Sequence, residues 1–236
     1  MKNPARVREM LVLAIDTAGK SGGVALARGD HASFELIGTA SLAGGSYSAR
    51  LVPAIAEVLA AHQLSKFDVE GFAVASGPGS FTGLRVGLGA VKALAEALGK
   101  PIAAVSVLAA VAAEAETTSA AGKMVALLDA GRGEVYVGEF SGPGIEPARQ
   151  LLLDRAALPV FLQGRGAVIT PDEALAAELQ AAGLAVALVP YSGPVAIARL
   201  GLRKLLSGDT VLATELDANY IRRSDAEIFS LPKLRP

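Results

Sequence analysis

Two aspartates occupy equivalent places in two similar stretches of the sequence, and both are candidate ligands for a divalent cation. Asp16 follows the apolar run at residues 11–15, Asp129 follows the run at 124–128, and a glycine-containing polar turn comes after each aspartate. A carboxylate at the mouth of a hairpin can hold Mg²⁺ beside the phosphates of a nucleotide. The same carboxylate can instead accept hydrogen bonds from the amides of its own turn. The sequence leaves both roles open.

A glycine-rich loop is the second feature that suggests chemistry. Residues 77–83 read Gly-Pro-Gly-Ser-Phe-Thr-Gly, between a short apolar run at 71–75 and a helical pattern over residues 83–98. Backbone amides at a helix start can bind phosphate, which makes Gly77, Gly79 and Ser80 candidates for a remnant nucleotide or phosphate site together with the two aspartates. The loop has neither the Lys-Ser/Thr pair of a P-loop nor the Gly-x-Gly-x-x-Gly spacing. A purely structural turn is therefore an equal alternative.

Other kinds of catalytic site find little support in the sequence. The chain has two histidines, His31 and His62, and they do not form an i, i+4 pair, whereas a zinc or iron site needs clustered ligands. There is no Gly-x-Ser-x-Gly elbow to present a nucleophilic serine. The absence of cysteine excludes thiol nucleophiles, thiolate metal sites and disulfides. We therefore assign no catalytic residue and no metal ligand set.

The elements that would position these residues suggest an internal duplication. Both aspartates lie in a pattern of strand, aspartate, tight turn and strand, and the distance between the two copies fits a duplicated α/β lobe. In the first half a third strand is predicted over residues 34–42 and a helix over 48–61. Further along, strands are predicted over 158–163 and 184–189, and helices over 172–182 and 195–206.

The helix over residues 83–98 carries too few charges for an ordinary surface helix. Arg85, Lys92 and Glu96 are its only charged residues, so most of its circumference must be covered. Gly83 and Gly87 lie four residues apart and leave a flat strip that another element can approach closely. That element is either the sheet of the same lobe or a helix of another chain.

Composition restricts the class of protein. Of the 236 residues, 52% are hydrophobic and 19% are charged, so the chain must bury a large core. Its net charge of -1 lacks the basic excess of a protein that binds nucleic acid unaided. The longest uncharged stretch, residues 181–198, contains two glycines and two prolines and cannot form a membrane-spanning helix. No export signal is recognisable, and we expect a cytoplasmic protein.

Several segments resemble the TsaB family, also called YeaZ, in the order in which they occur there. They cover the chain from Met10 to Phe229. The most specific is Gly-Pro-Gly-Ser-Phe-Thr-Gly-Leu-Arg-Val-Gly at 77–87, and the others are Leu-Ala-Ile-Asp-Thr at 13–17, Tyr-Ser-Ala-Arg-Leu-Val-Pro at 47–53, Leu-Asp-Ala at 128–130 with Gly-Glu-Val-Tyr at 133–136, and Asn-Tyr-Ile-Arg at 219–222. Tyr47 stands where the family commonly has histidine, and Gly131 interrupts its usual Asp-Ala-Arg-x-Gly pattern.

The resemblance implies an α/β, actin-like (ASKHA) duplicated two-lobe fold, with a mixed sheet and flanking helices in each lobe. It also implies a non-catalytic subunit that pairs with the catalytic paralogue TsaD and the ATPase TsaE. That complex transfers the threonylcarbamoyl group to the adenosine beside the anticodon of tRNAs reading codons that begin with A. No tightly bound cofactor is expected, ATP and Mg²⁺ being used by the partner subunits, and tRNA would be met only through the complex. The alternatives are a stand-alone nucleotide-binding kinase or ATPase of this fold and a glycoprotease-like hydrolase.

The resemblance also places the protein–protein interface on the two helices of the first lobe. In this family self-association and TsaD binding use overlapping surfaces there, which predicts a homodimer for the isolated chain. The interface residues that we predict are Leu51, Ile55, Val58, Gly83, Val86, Gly87 and Ala90. On this hypothesis, Gly87→Trp abolishes association without unfolding the chain. If the helix is buried in its own lobe, the same change unfolds that lobe.

The predicted domain boundaries follow from these elements. Residues 1–9 form a tail, 10–104 the first lobe, 105–229 the second lobe and 230–236 a second tail. The C-terminal helix is expected to belong to the second lobe in sequence and to pack back on the first. Whether Met10 is the true start stays open.

Overall fold

The computed structural model describes residues 9–116, 122–141 and 146–221. Two five-stranded mixed sheets make up its framework. The strands of the first sheet are β1 (Met10–Asp16), β2 (Ser21–Gly29), β3 (Phe34–Ala43), β4 (Gly71–Gly77) and β5 (Ile102–Ser106). Those of the second are β6 (Met124–Gly131), β7 (Glu134–Phe140), β8 (Arg149–Asp154), β9 (Ala167–Thr170) and β10 (Val186–Leu188).

The two sheets have the same topology. The first has the order β3-β2-β1-β4-β5 and the second, in the same sense, β8-β7-β6-β9-β10. In the first sheet, neighbouring strands among β1, β2 and β3 are antiparallel, and β4 and β5 run parallel to β1. In the second sheet, neighbouring strands among β6, β7 and β8 are antiparallel, and β9 and β10 run parallel to β6. Asp16 and Asp129 end, or nearly end, the first strand of their respective sheets. The predicted duplicated two-lobe α/β fold is confirmed.

The helices follow the same repeat and tie the halves together. They are α1 (Tyr47–Ala61), α2 (Phe81–Leu98), α3 (Val107–Glu116), α4 (Leu158–Phe161), α5 (Glu173–Ala181) and α6 (Pro194–Ser207). Helices α1 and α2 pack on the first sheet, whereas α3 contacts strands of both sheets. Helix α6 comes last in the second half and packs across β1, β2, β4 and β5 of the first sheet. Each half therefore contributes to the core of the other.

Sequence signals at the helix ends act locally as expected. The Ser80 hydroxyl accepts a hydrogen bond from the amide of Gly83 and caps α2, and Gly99 ends that helix in the left-handed conformation. Asp172 caps α5 in the same way by accepting from the amide of Leu175. Helix α1 begins one residue before the predicted start and ends where predicted.

One predicted strand is wrong. Residues 158–161 form the short helix α4 and residues 162–163 a turn, because Pro159 takes an early helical position, where its missing amide costs no hydrogen bond. The segment holds too few residues for periodicity to distinguish a buried strand from a buried helix. The strand predicted over 184–189 is confirmed at its centre as β10, and the helix over 195–206 is α6.

Some predictions lie beyond what the structure describes. Residues 1–8 of the predicted N-terminal tail, residues 222–229 of the predicted second lobe and the tail at 230–236 fall outside the described residues. The proposed lobe boundaries stay predictions. Within the described ranges, no helix combines the length and apolar character needed to cross a bilayer.

Candidate functional site

A cleft lies between the turns that connect the first strands of the two sheets. Its volume is about 970 Å³. It is lined from the first lobe by the β1–β2 turn, the turn after β3 and the start of α2, and from the second lobe by the β6–β7 turn and Tyr136. Residues 219–221, near the end of the described chain, line the remaining side. The cationic side chains of Lys20, Arg85 and Arg132 line this cleft with the carboxylate of Asp129.

Asp16 does not line the cleft and is buried. Only 1% of the residue is exposed. One carboxylate oxygen accepts the backbone amide of Ala18 at 2.9 Å, as expected for an aspartate that closes its own turn, and the other accepts the hydroxyl of Tyr191 at 2.9 Å. Each oxygen therefore accepts a hydrogen bond from the protein itself, and the cation-ligand role of Asp16 stays a prediction.

Two tyrosines surround this buried carboxylate. Tyr191 precedes α6, and the Tyr47 hydroxyl donates to the carbonyl of Gly19 at 2.9 Å. Burial raises the pKa of Asp16, against the lowering effect of the bonds from Ala18 and Tyr191. Burial also raises the pKa of Tyr191 well above its usual value, and the nearby charges of Asp16 and Glu114 raise it further. The pKa of Tyr47 is raised mainly by burial and further by the nearby charge of Asp16.

Asp129, the second predicted aspartate, does line the cleft. It accepts the amide of Gly131 at 3.3 Å and forms an ion pair with Arg155 at 3.7 Å. The Arg155 Nε also lies 3.4 Å from a carboxylate oxygen of Glu178 on α5, so this arginine links the β6–β7 turn to α5. Of the two aspartates that the sequence placed in one candidate site, Asp129 lines the cleft and Asp16 does not. Among the described residues, no three side chains of His, Cys, Asp and Glu come together as a metal-binding group.

The glycine loop is shaped by close packing against the β1–β2 turn. A Cβ at Gly79 would lie 2.5 Å from the carbonyl oxygen of Ala18, and one at Gly83 would overlap the carbonyl of Thr17. The amide of Ser80 donates to the Ala18 carbonyl at 2.7 Å, and the Thr17 hydroxyl donates to the carbonyl of Gly83 at 2.7 Å. These contacts account for the glycines without any ligand. Gly79 and Ser80 still line the cleft, whereas Gly77 does not.

Most of the predicted interface residues face inward. Leu51, Ile55 and Val58 of α1 belong to the hydrophobic core, and Gly83 and Gly87 of α2 are buried. A Cβ at Gly87 would overlap the Thr17 hydroxyl, so the close approach that these glycines permit is to their own lobe. This corrects the prediction for Gly87→Trp, which should unfold the lobe.

Part of the outward surface of these helices is apolar and small, although Arg50 and Glu57 on α1 and Arg85 and Glu96 on α2 are exposed as well. Val86 and Ala90 of the predicted set are partly exposed, and no atom lies within 4 Å of a Cβ built on Gly89. Ala93 is exposed one turn further along, and Val52 on α1 is 66% exposed. We call Val52, Val86, Gly89, Ala90 and Ala93 the helix face. The interface itself stays a prediction, and of its predicted residues Val86 and Ala90 belong to the helix face.

Sequence reasoning missed a cluster at the rim of the cleft. The rings of Phe81 and Tyr220 have centroids 4.9 Å apart, and the guanidinium carbon of Arg85 lies 3.8 Å from the centre of the Phe81 ring. The Arg85 Nε also donates to the Tyr220 hydroxyl at 3.2 Å. The segment Asn219–Arg222 was visible as a motif, but nothing in the sequence indicated that it contacts the start of α2.

Comparison with known proteins gives a consistent set of relatives. The family model described as "TsaD: tRNA N6-adenosine threonylcarbamoyltransferase" matches residues 41–187. The tRNA threonylcarbamoyladenosine biosynthesis protein TsaB of Bacillus subtilis is 38% identical over 131 residues, which is 56% of this chain and 55% of that protein. The Escherichia coli protein of the same name is 35% identical over 133 residues, again 56% of this chain and 55% of its own length. These matches span only about half the length of the curated relatives.

A solved structure agrees over a longer stretch. YeaZ from Pseudomonas aeruginosa superposes with a TM-score of 0.70, over 89% of this chain and 99% of that one. The sequence identity is 22%, so this likeness concerns the fold.

Proposed function

The chain belongs to the TsaB (YeaZ) family of tRNA threonylcarbamoyladenosine biosynthesis proteins, and from this membership we propose that it is a non-catalytic subunit of that pathway. Its role is to dock onto a TsaD-like catalytic subunit and, with a TsaE-like ATPase, to support threonylcarbamoyl transfer to tRNA. The target is the adenosine next to the anticodon in tRNAs that read codons beginning with A. The chain acts in the cytoplasm and meets tRNA only within the complex.

The observation that carries the proposal is the helix face. Exposed small and aliphatic residues on two adjacent helices let a partner helix approach closely, and they leave apolar surface to be covered. The helices that carry this face are firmly held, because Leu51, Ile55 and Val58 bury the opposite side of α1 in the core. The same face serves a second copy of the chain in isolation and the TsaD-like subunit in the complex.

The proposal that the chain is non-catalytic is supported by the state of Asp16. Its carboxylate is enclosed and hydrogen-bonded by Ala18 and Tyr191, whereas a catalytic or metal-binding carboxylate must reach the substrate or its cation. Asp129 reaches the cleft but is paired with Arg155. Among the described residues that line the cleft, Asp129 is the one carboxylate, whereas the kinase alternative requires two.

Reconstitution is the direct test of the role. The cognate TsaD-like and TsaE-like proteins, tRNA and the threonylcarbamoyl-adenylate donor are incubated with and without this chain, and modified adenosine is measured by mass spectrometry of nucleosides. We expect modification only when the chain is present. Modification at the same rate without it would contradict the proposed role.

The docking surface is tested by a matched pair of tryptophan substitutions. Gly89→Trp places a large side chain on the helix face, where there is free space, so the fold and the circular dichroism should be unchanged while association is lost. Ala177→Trp is the control, since Ala177 is also exposed, on α5 of the other lobe. Light scattering and pull-down with the TsaD-like subunit measure both variants. Equal association of the two variants would place the interface elsewhere.

The main alternative, a stand-alone kinase or ATPase, is favoured by one observation, the size of the cleft. A volume of about 970 Å³ can admit a nucleotide, and Gly79, Ser80 and Asp129 line it. Isothermal titration with ATP and Mg²⁺ separates the two proposals. Tight binding accompanied by phosphate release from the chain alone would favour the kinase or ATPase.

A further inference from the structure

Residues 217–221, which we call the strap, cross from the first lobe to the second at the edge of the cleft. The backbone amide of Asn219 donates to the carbonyl of Ser76 in β4 at 2.7 Å. The side-chain amide of the same residue donates to Oε1 of Gln150 in β8 at 2.7 Å. One residue therefore holds both sheets, with its backbone on one and its side chain on the other.

The next residue joins the strap to a helix of the first lobe. The Tyr220 ring packs against that of Phe81, the first residue of α2, at an interplanar angle of 37°, and the Tyr220 hydroxyl accepts a hydrogen bond from the Arg85 Nε at 3.2 Å. Arg85 in turn lies over the Phe81 ring. These three side chains fasten the strap to the first turns of the helix that carries Val86, Gly89 and Ala90 of the helix face.

The first lobe is adapted to the path of the strap. Gly77 has φ +122°, a conformation that favours glycine, and a Cβ there would lie 2.8 Å from the Asn219 carbonyl oxygen. Leu216, immediately before the strap, is 1% exposed and anchors it in the core. Gly77, a candidate residue of the predicted phosphate loop, thus lies against the strap at a distance that leaves no room for a side chain.

We propose that the strap fixes the opening of the cleft and couples that opening to the orientation of α2. Its contacts join β4, β8 and α2, so a change in the separation of the two sheets must either break the Asn219 bonds or displace the start of α2. The consequence for partner docking rests on the proposed function, whereas the effect on cleft opening does not.

The test measures the distance between the lobes in solution. Because the chain contains no cysteine, spin labels can be introduced at two chosen sites without removing native residues. Ala49 in α1 and Ala156 are both exposed. Ala49 follows the turn at residues 44–45 that lines the cleft, and Ala156 follows Arg155, which forms an ion pair with the cleft residue Asp129. Double electron–electron resonance on Ala49→Cys/Ala156→Cys, diluted with unlabelled chain, reports the distance within one molecule.

Asn219→Ala and Gln150→Ala should each broaden the distance distribution and shift its mean, because both remove the side-chain bond between strap and second sheet. Gln180→Ala is the matched control: it removes a bond of similar length, from Gln180 Nε2 to the Val186 carbonyl, that stays within one lobe. This variant should keep the wild-type distribution. Unchanged distributions in both strap variants overturn the proposal, as does an equal change in Gln180→Ala.

A second arm measures the coupling to docking. Tyr220→Phe removes the hydroxyl that Arg85 contacts and keeps the ring. We expect the affinity for the TsaD-like subunit to fall at least about fivefold, as for a modest coupling between two sites. Unaltered affinity overturns the coupling. If the wild-type chain binds no TsaD-like subunit at all, the proposed function fails, and the distance measurement still decides whether the strap fixes the cleft.

Discussion

The hydrogen bond from Tyr191 to Asp16 gives the most specific prediction for stability. Tyr191→Phe removes the hydroxyl and leaves the buried carboxylate of Asp16 with the Ala18 amide as its remaining hydrogen-bond donor among the described residues. A hydrogen bond to a charged acceptor contributes about 1.5–3 kcal/mol, and a neutral one about 1 kcal/mol. At neutral pH we therefore expect Tyr191→Phe to lower the free energy of unfolding by about 2 kcal/mol, or Tm by about 4–8 °C for a chain of this size.

The pH dependence distinguishes this explanation from a simple loss of packing. Burial raises the pKa of Asp16 in the folded chain above its ordinary value of 3.8. A raised carboxyl pKa contributes stability below the unfolded value, and this contribution is lost as the pH rises through the folded value. The Tyr191 hydroxyl lowers the folded pKa, so removing it raises that pKa further. The difference in stability between wild type and Tyr191→Phe should therefore widen as the pH rises from about 4 towards neutrality, by about 1 kcal/mol.

Urea denaturation followed by circular dichroism, at a series of pH values over this window, measures the difference. Tyr47→Phe is the matched control, because its hydroxyl bonds the neutral carbonyl of Gly19 close to the same carboxylate. Its cost should be about 1 kcal/mol and nearly independent of pH over the same window. A Tyr191→Phe difference that is flat with pH, or largest in acid, would refute the reasoning.

Two further predictions concern contacts elsewhere in the fold. Lys204 is buried on α6, with its ammonium 2.6 Å from Glu146 and 3.0 Å from Asp209, and the bonds to these two carboxylates raise its pKa despite the lowering effect of burial. The double variant Glu146→Gln/Asp209→Asn should destabilise the chain by about 2 kcal/mol in thermal unfolding, because it leaves the buried ammonium without its partners. Lys204→Met should cost less because it leaves no buried charge, and the reverse order would contradict this. Gly77→Ala should lower the free energy of unfolding by about 2 kcal/mol more than Gly45→Ala, as measured by denaturant unfolding. Both glycines have positive φ, but a Cβ at Gly77 would meet the strap whereas one at Gly45 has free space. Equal losses would show that the strap moves aside to accommodate the Cβ.

Local patterns in the sequence determined the repeating framework. The apolar runs before Asp16 and Asp129, followed by tight turns, specified two equivalent hairpins, and the spacing of Leu51, Ile55 and Val58 specified the buried side of α1. Ser80 and Gly99 marked the ends of α2 because capping depends on residues within a few positions of one another. The residues 158–163 were ambiguous because so short an apolar run fits a strand and a helix equally.

Contacts between distant parts of the chain were decided only by the tertiary structure. The sequence could not show that Tyr191 reaches back to Asp16, that Gly87 packs against Thr17, or that Asn219 bridges Ser76 and Gln150. A carboxylate, a glycine and an amide have the same local pattern whether they meet a ligand or another part of the chain. What they meet depends on how α6 and the strap return to the first sheet, and that path is set by the packing of the whole core.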